Sequence, residues 1–278
     1  MRVIGFGDQV VDKYENERIM YPGGNALNFA VFAKKLGVEA AFLGAFGNDK
    51  EAECVRKAAI ACQIEIDHCR FYKGENGCAR VCLENGDRRF LGSNRCGVLR
   101  TEGLRLKEAD YQYLLTFDLI HSSVFSYTEN DLKILHENGA TISFDFSDRA
   151  TSDYLEKVLP YIDYPVFSCS HMGYMDMELL MKKVVDMGCK LILCTRGSEG
   201  AWIASKNGIY RQEPHLVAAK DTMAAGDSFL TCFLIRYLEG KENNKEEEKS
   251  ILEALRAAAD FAAEQCMIDG SFGYGCKY

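Results

Sequence analysis

The chain has 278 residues, 47% of them apolar, and a formal net charge of −8. That composition supports a sizeable folded core, and the acidic balance argues against a nucleic-acid partner, which needs a basic surface. No apolar run approaches a membrane span. The 12 cysteines are scattered without a Cys-x-x-Cys pair, so reduced thiols in a cytoplasmic protein are expected, with no zinc site and no disulfides.

Residues 2–7 read as a buried first strand. Gly5 and Gly7 suggest a dinucleotide fingerprint, but position 10 is Val10 and extended chain follows instead of a helix, which argues against hydride transfer. Asp8 and Asp12 lie beyond the strand end, where open α/β sheets bind ligands; a pair of turn acids is the competing reading. Pro22-Gly23-Gly24-Asn25-Ala26-Leu27-Asn28 leads into a helix predicted to reach Leu36 and stop at Gly37. The paired glycines allow close backbone approach. Asn28 offers a donor and an acceptor to a hydroxylated ligand, or simply packs within the helix.

A strand over 41–46 and a helix over about 50–62 come next. Between about 67 and 95 the pattern changes to short alternating runs, with a tight hairpin turn at Asn85-Gly86-Asp87. Together with the extended piece over about 10–20, these form a small separate sheet. Arg80, Arg88, Arg89 and Arg95 read as solvated strand-face charges and receive no role. From about residue 107, helical patterns alternate with apolar strands at 119–122, 141–146, 165–168 and 190–195, the mark of a mostly parallel sheet with helices on both faces. His121 reads as a satisfied core or strand-end histidine. Thr195-Arg196-Gly197-Ser198-Glu199-Gly200 suits nucleotide phosphates, or merely joins two strands. Residues 241–249 read as a solvated loop between helices, and the absence of a linker makes 1–278 one domain.

Asp221-Thr222-Met223-Ala224-Ala225-Gly226-Asp227-Ser228-Phe229 runs into apolar residues at amphipathic-helix spacing, with a stop predicted at Gly240. Ala224, Ala225 and Gly226 then sit at a helix N-terminus, whose unpaired N–H groups and dipole favour an anion. Asp227 falls in the first turn, where the same field favours its ionised form. An anion cradle beside an ionised acid suits phosphoryl transfer; a capped helix without a ligand is the plainer alternative.

This stretch resembles the C-terminal signature of the PfkB-type, ribokinase-like carbohydrate kinases, Asp-Thr-x-Gly-Ala-Gly-Asp, with Ala224 in place of the first glycine. The segment from Gly23 resembles their N-terminal Gly-Gly-x-x-x-Asn-x-Ala signature. The resemblance covers nearly the whole chain and implies a ribokinase-like three-layer α/β sandwich: a mostly parallel central sheet with a small β-sheet lid, often a homodimer contact. It implies ATP and Mg²⁺ as cofactors, Asp227 as catalytic base, and Ala224, Ala225 and Gly226 with it as the anion hole. Asp8, Asp12, Gly23, Gly24 and Asn28 fall to the sugar. Thr195, Gly197 and Gly200, with Lys220 and Gly270, fall to the nucleotide. The Asn-x-x-Glu motif of many members is missing from 168–174, so Mg²⁺ is expected to be held mainly by ATP and water, with no protein ligand assigned.

Within the family, the Gly7-Asp8 pair, the Gly-Gly-Asn-Ala-Leu-Asn run and Asp145-Phe146-Ser147-Asp148 look most like fructoselysine 6-kinases, which phosphorylate the sugar of an Amadori product of lysine. Asp8, Asp145 or Asp148 would then meet the amino-acid part by charge complementarity. A fructokinase or ribokinase is the alternative. From another class, a non-catalytic sugar-sensing protein is distinguished by its lack of ATP turnover.

Overall fold

The computed structural model describes residues 1–84 and 87–278, so Asn85 and Gly86 of the expected hairpin turn lie outside the described residues. Val3 and Ile4 are both fully buried, yet in different cores, because successive side chains of a strand point to opposite faces. They belong to β1 (Arg2–Gly7). After it come β2 (Val10–Tyr14), β3 (Ile19–Gly23), α1 (Asn25–Lys35), β4 (Glu39–Phe46) and α2 (Lys50–Ala61). Next are β5 (Arg70–Phe71), β6 (Cys78–Glu84), β7 (Asp87–Ser93), α3 (Val98–Glu102) and α4 (Glu108–Leu114). The middle of the chain alternates β8 (Leu119–Ser123), α5 (Glu129–Glu137), β9 (Ile142–Asp145), α6 (Ser152–Val158), β10 (Tyr164–Ser168) and α7 (Tyr174–Asp186). It closes with β11 (Leu191–Thr195), β12 (Ala201–Ser205), β13 (Gly208–Gln212), α8 (Ala225–Glu242), α9 (Glu247–Gln265) and β14 (Cys276–Lys277).

Nine strands form the central sheet in the order β13-β12-β11-β10-β9-β8-β1-β4-β5. Pairings from β5 to β11 are parallel, and β12 and β13 add an antiparallel edge. One core lies between this sheet and α1, α2, α8 and α9; the other lies beneath α5, α6 and α7. Leu191 and Leu193 serve the first and Ile192 and Cys194 the second, the signature of a strand covered on both faces. The expected three-layer fold is therefore present.

The smaller sheet runs β14-β3-β2-β6-β7. Tyr14, Tyr21 and Val81 on one of its faces pack with Met223, which comes from the segment leading into α8. On β2, Lys13 pairs with Glu51 of α2. The sheet therefore spans the space between α2 and the start of α8.

Two expectations need correction. Arg70 and Phe71, read as part of the small sheet, instead pair with Ala45 and Phe46 at the edge of the central one. Their side chains decide this. Arg70 binds Leu104 O and the Asp110 carboxylate, and the Phe71 ring stacks on Phe46 at 5.5 Å. Gly240, expected to stop a helix, lies inside α8, which continues to Glu242. A Cβ at Gly240 would stand 2.7 Å from Ser250 Oγ, so the glycine is there to let α8 and α9 touch. The solvated loop between those helices is correspondingly shorter than 241–249.

Candidate active site

The C-terminal ends of the parallel strands and the N-termini of α1 and α8 converge around three acids, Asp8, Asp145 and Asp227. Asp8 follows β1 and is nearly inaccessible at 3% exposure. Its Oδ1 accepts from Ser126 Oγ at 2.7 Å, Ser123 Oγ at 2.8 Å and the Ala26 amide at 3.3 Å, while Oδ2 accepts from the Asn25 amide at 2.7 Å. The N-cap position of α1, Gly24, offers no side chain, so Asp8 caps the helix from a neighbouring strand end. Gly24 sits at φ 107°, and a Cβ there would stand 2.5 Å from Gln9 Cα. This crowding explains why a glycine stands where the chain turns from β3 into α1.

Asn25, the first residue of α1, joins the other two acids. Its Nδ2 donates to Asp145 Oδ2 at 2.8 Å and to Asp227 Oδ1 at 2.9 Å. Only an NH₂ group fits between two carboxylates, so Oδ1 is the end that faces His121 Nε2 at 2.8 Å. His121 is fully buried, stacked on Phe29 at 4.5 Å, and burial pushes its pKa down to about 3. The ring is therefore neutral, with its proton on Nε2, and Nδ1 accepts from Ser143 Oγ at 2.8 Å. This chain of hydrogen bonds fixes the Asn25 amide in the orientation that donates to both acids. His121 is a satisfied core histidine, as expected, and it also orients a group bound to Asp227. The sequence motifs assign Asn25 no role of its own; its part in the site emerges from contacts between residues far apart in the chain.

Asn28, one turn further along α1, donates from Nδ2 to Asp227 Oδ2 at 2.6 Å. Its Oδ1 is buried and has no partner, a position suited to an incoming hydroxyl donor. Asp145 ends β9. Its Oδ1 accepts from the Ser147 amide at 2.8 Å. Burial first, then repulsion from Asp227, raises its pKa from 3.8 to about 7. The folded chain thus holds this proton more tightly than the unfolded chain, so Asp145 costs stability progressively as pH rises from about 4 to about 7.

Asp227 occupies the first turn of α8 as expected, and Ala224 is its N-cap at φ 57°, ψ 18°. Gly226 is exposed, with nothing within 4 Å of where a Cβ would stand. First-turn amides have no intrahelical acceptor, but the Ala225 N–H is turned back onto Thr222 O at 3.2 Å, which reduces the expected cradle by one donor. The left-handed backbone at Ala224 costs roughly 1 kcal/mol relative to glycine. Ala224→Gly is accordingly expected to raise the melting temperature by about 2 °C in calorimetry. A fall of that size would mean that the Ala224 methyl group's packing outweighs the strain.

Asp221, three residues before Ala224, accepts from Tyr14 Oη at 2.6 Å, the Gly270 amide at 2.9 Å and the Met223 amide at 2.9 Å. It ties β2 of the small sheet, the α8 N-terminus and the C-terminal segment together. Lys220 beside it is exposed and pairs with Asp269 at 2.7 Å, so Lys220 and Gly270 fall in one group. Asp12, 5% exposed on β2, lies near Gly23 and Ser271: a Cβ on Gly23 would stand 2.9 Å from Asp12 Oδ2 and 2.8 Å from Ser271 Oγ.

The Thr195–Gly200 turn joins antiparallel β11 and β12. Gly197 has φ 54°, and a Cβ on Gly200 would stand 2.2 Å from Gln212 O. Arg196 does not reach outward: its guanidinium donates to Cys169 O and Met172 O and lies over the Tyr174 ring at 4.4 Å. Thr195 ends β11, two strands along from Asp145, a separation of roughly 10 Å at the usual strand spacing. Both lie on the same rim of the sheet. Among the described residues no cluster of three or more His, Cys, Asp or Glu could hold a metal ion.

Residues 1–267 match the family described as pfkB family carbohydrate kinase. The chain is 39% identical over 279 residues to fructosamine kinase FrlD of Bacillus subtilis (strain 168), covering 100% of this chain and 95% of that protein. It is 30% identical over 236 residues to fructoselysine 6-kinase of Escherichia coli (strain K12), covering 84% and 88%. A solved fructokinase with bound ATP from Xylella fastidiosa matches with a TM-score of 0.78 at 19% identity, covering 98% of this chain and 94% of that one. Arabidopsis thaliana ribokinase complexed with ribose and ATP matches with a TM-score of 0.78 at 18% identity, covering 98% and 95%. These two share the fold. From a family match over nearly its whole length and relatives of this identity, the chain belongs to the pfkB family of carbohydrate kinases.

Proposed function

We propose that this protein transfers the γ-phosphate of ATP to the 6-hydroxyl of fructoselysine, the Amadori product of lysine. The observation that carries the reading is the pairing of Asp227, gripped on both oxygens by amide N–H groups, with the buried, unpartnered Oδ1 of Asn28 beside it. A carboxylate held still next to an acceptor that lacks a donor suits a sugar hydroxyl, and the two kinases of fructosamine and fructoselysine among the relatives supply the substrate class.

In the reaction, Asp227 takes the hydroxyl proton as the oxygen bonds to the γ-phosphorus. The bond from that phosphorus to the bridging oxygen breaks, and ADP leaves. The α8 N-terminus, through Ala224, Gly226 and Asp227, steadies charge on the moving group, with the Ala225 amide held by Thr222 O. Asn28, Asp12, Gly23 and Gly24 form the sugar side, and Asp8 acts on it indirectly by holding the α1 N-terminus. Thr195, Gly197 and Gly200, with Lys220 and Gly270, bound the nucleotide. When bound, Mg²⁺ would be carried by the ATP phosphates and would offset their charge; among the described residues no cluster of three or more His, Cys, Asp or Glu could hold it. The small sheet closes over the sugar and excludes water. Its edge strand β7 exposes Phe90, 62% accessible, which suits a contact with a second copy. The working compartment is the cytoplasm.

With Mg-ATP and purified protein, coupled ADP release is expected to favour fructoselysine over fructose and ribose by at least about tenfold in kcat/KM, a difference of about 1.4 kcal/mol in transition-state binding. Preference for a free sugar would keep the kinase and discard the Amadori substrate.

A further inference from the structure

We propose that Asp145 selects for an amine-bearing sugar by accepting the substrate's protonated secondary amine. The inference rests on the fructosamine reading above and assigns the group that distinguishes that substrate from free fructose. Of the three acids offered by charge complementarity, two are poorly placed. Asp8 already accepts four hydrogen bonds, three on Oδ1 and one on Oδ2, from two serine hydroxyls and two helix amides, about the full number a carboxylate takes. Asp148 is exposed, 3.9 Å from Arg149. Asp145 is buried at the strand end and receives one donor on each oxygen, from Ser147 N and Asn25 Nδ2. A carboxylate can accept about four hydrogen bonds, so each oxygen keeps capacity for another donor.

The electrostatic surroundings point the same way. The charges that act most strongly on Asp145 are those of Asp227 and Asp8, both negative. A neutral sugar entering this space would leave the repulsion in place. A substrate ammonium would form a charge-assisted hydrogen bond and relieve it. An independent observation marks the same space as a ligand site: Asn28 Oδ1 is buried without a partner, on the amide group whose nitrogen donates to Asp227. Asn25 Nδ2 bridges Asp227 and Asp145, so the base and the ammonium acceptor stand one amide group apart. That separation suits the two ends of a furanose ring, with the 6-hydroxyl at Asp227 and the amine on C1 at Asp145.

The test uses the whole protein with Mg-ATP and three acceptors: fructoselysine, fructose, and a fructoselysine analogue in which an ether oxygen replaces the secondary amine. For the native enzyme, kcat/KM is expected to fall at least about 30-fold from amine to ether, mainly through KM, because the ether has the same shape without the charge. In Asp145→Asn, the ratio of amine to ether is expected to collapse toward one, whatever change is common to both acceptors. If the variant fails to fold, the native comparison still decides: an ether as good as the amine overturns the proposal. An undiminished amine-to-ether ratio in Asp145→Asn also overturns it. A native enzyme that prefers fructose to fructoselysine overturns the substrate reading and this inference with it, while preference for fructoselysine without discrimination against the ether overturns the inference alone.

Discussion

Asp227→Asn is expected to lower kcat by about 10³-fold with the fold intact, since a positioned general base contributes about 10² to 10⁴. Each oxygen of Asp227 accepts from one amide NH₂, Asn25 at 2.9 Å and Asn28 at 2.6 Å. An asparagine has one oxygen, so one of those donors would face another NH₂. Asn28 can relieve the conflict by rotating its amide, because its Oδ1 is bound to nothing. Asn25 cannot, because His121 holds its oxygen. The variant is therefore expected to refold around a rotated Asn28 and lose the base alone. Circular dichroism should superimpose on that of the parent while saturating ADP release drops. Turnover at the native rate would remove Asp227 from the reaction.

The fold was legible because its determinants are local. Alternation of apolar strands with helical periods needs only neighbouring residues, and the two glycine-rich segments carry their meaning in short runs. The small sheet was legible in part, through β2, β6 and β7; the expected extended piece ended near residue 20, short of most of β3. Its last strand, Cys276–Lys277, is two residues long and exists because Cys276 and Lys277 pair with Met20 and Ile19, a partnership no local pattern announces. Arg70–Phe71 failed in the opposite direction: a short polar-apolar alternation looked like lid, and side-chain anchors to Leu104, Asp110 and Phe46 put it on the central sheet.

The candidate site divides in the same way. Asp227, Asn28 and the glycines stand in motifs. The chain of hydrogen bonds from Ser143 through His121 and Asn25 to Asp145 and Asp227 joins α1, β8, β9 and α8, and its members are far apart in sequence. His121 carried no motif, and its burial made a structural role the natural reading. Asp8 shows the converse: an acid at a strand end resembles a ligand contact, and its hydrogen bonds show a cap for α1.

Asn25→Asp tests that chain by changing one atom, and its expected effects on stability and rate are both large. The new carboxylate oxygen would face Asp145 Oδ2 and Asp227 Oδ1, where an NH₂ now donates to both. Three acids would then crowd together without their common donor, and removing one partner of a buried charged set costs about 3 kcal/mol or more. At least one carboxyl must take up a proton, with its folded pKa raised above the unfolded value. That penalty is small at low pH, where the proton is bound in both states, and grows as pH rises toward the folded pKa. The melting temperature should therefore fall further below the parent's at pH 8.5 than at pH 5. The added negative charge also disfavours the ionised form of Asp227, so the acid limb of the pH–rate profile moves upward. At pH 7 the rate should drop by about 10²-fold and recover in part at higher pH, read as initial rates at temperatures below the variant's transition. A variant with the same melting deficit at both pH values and an unmoved acid limb would reduce Asn25 to a packing residue and leave His121 with no route to the base.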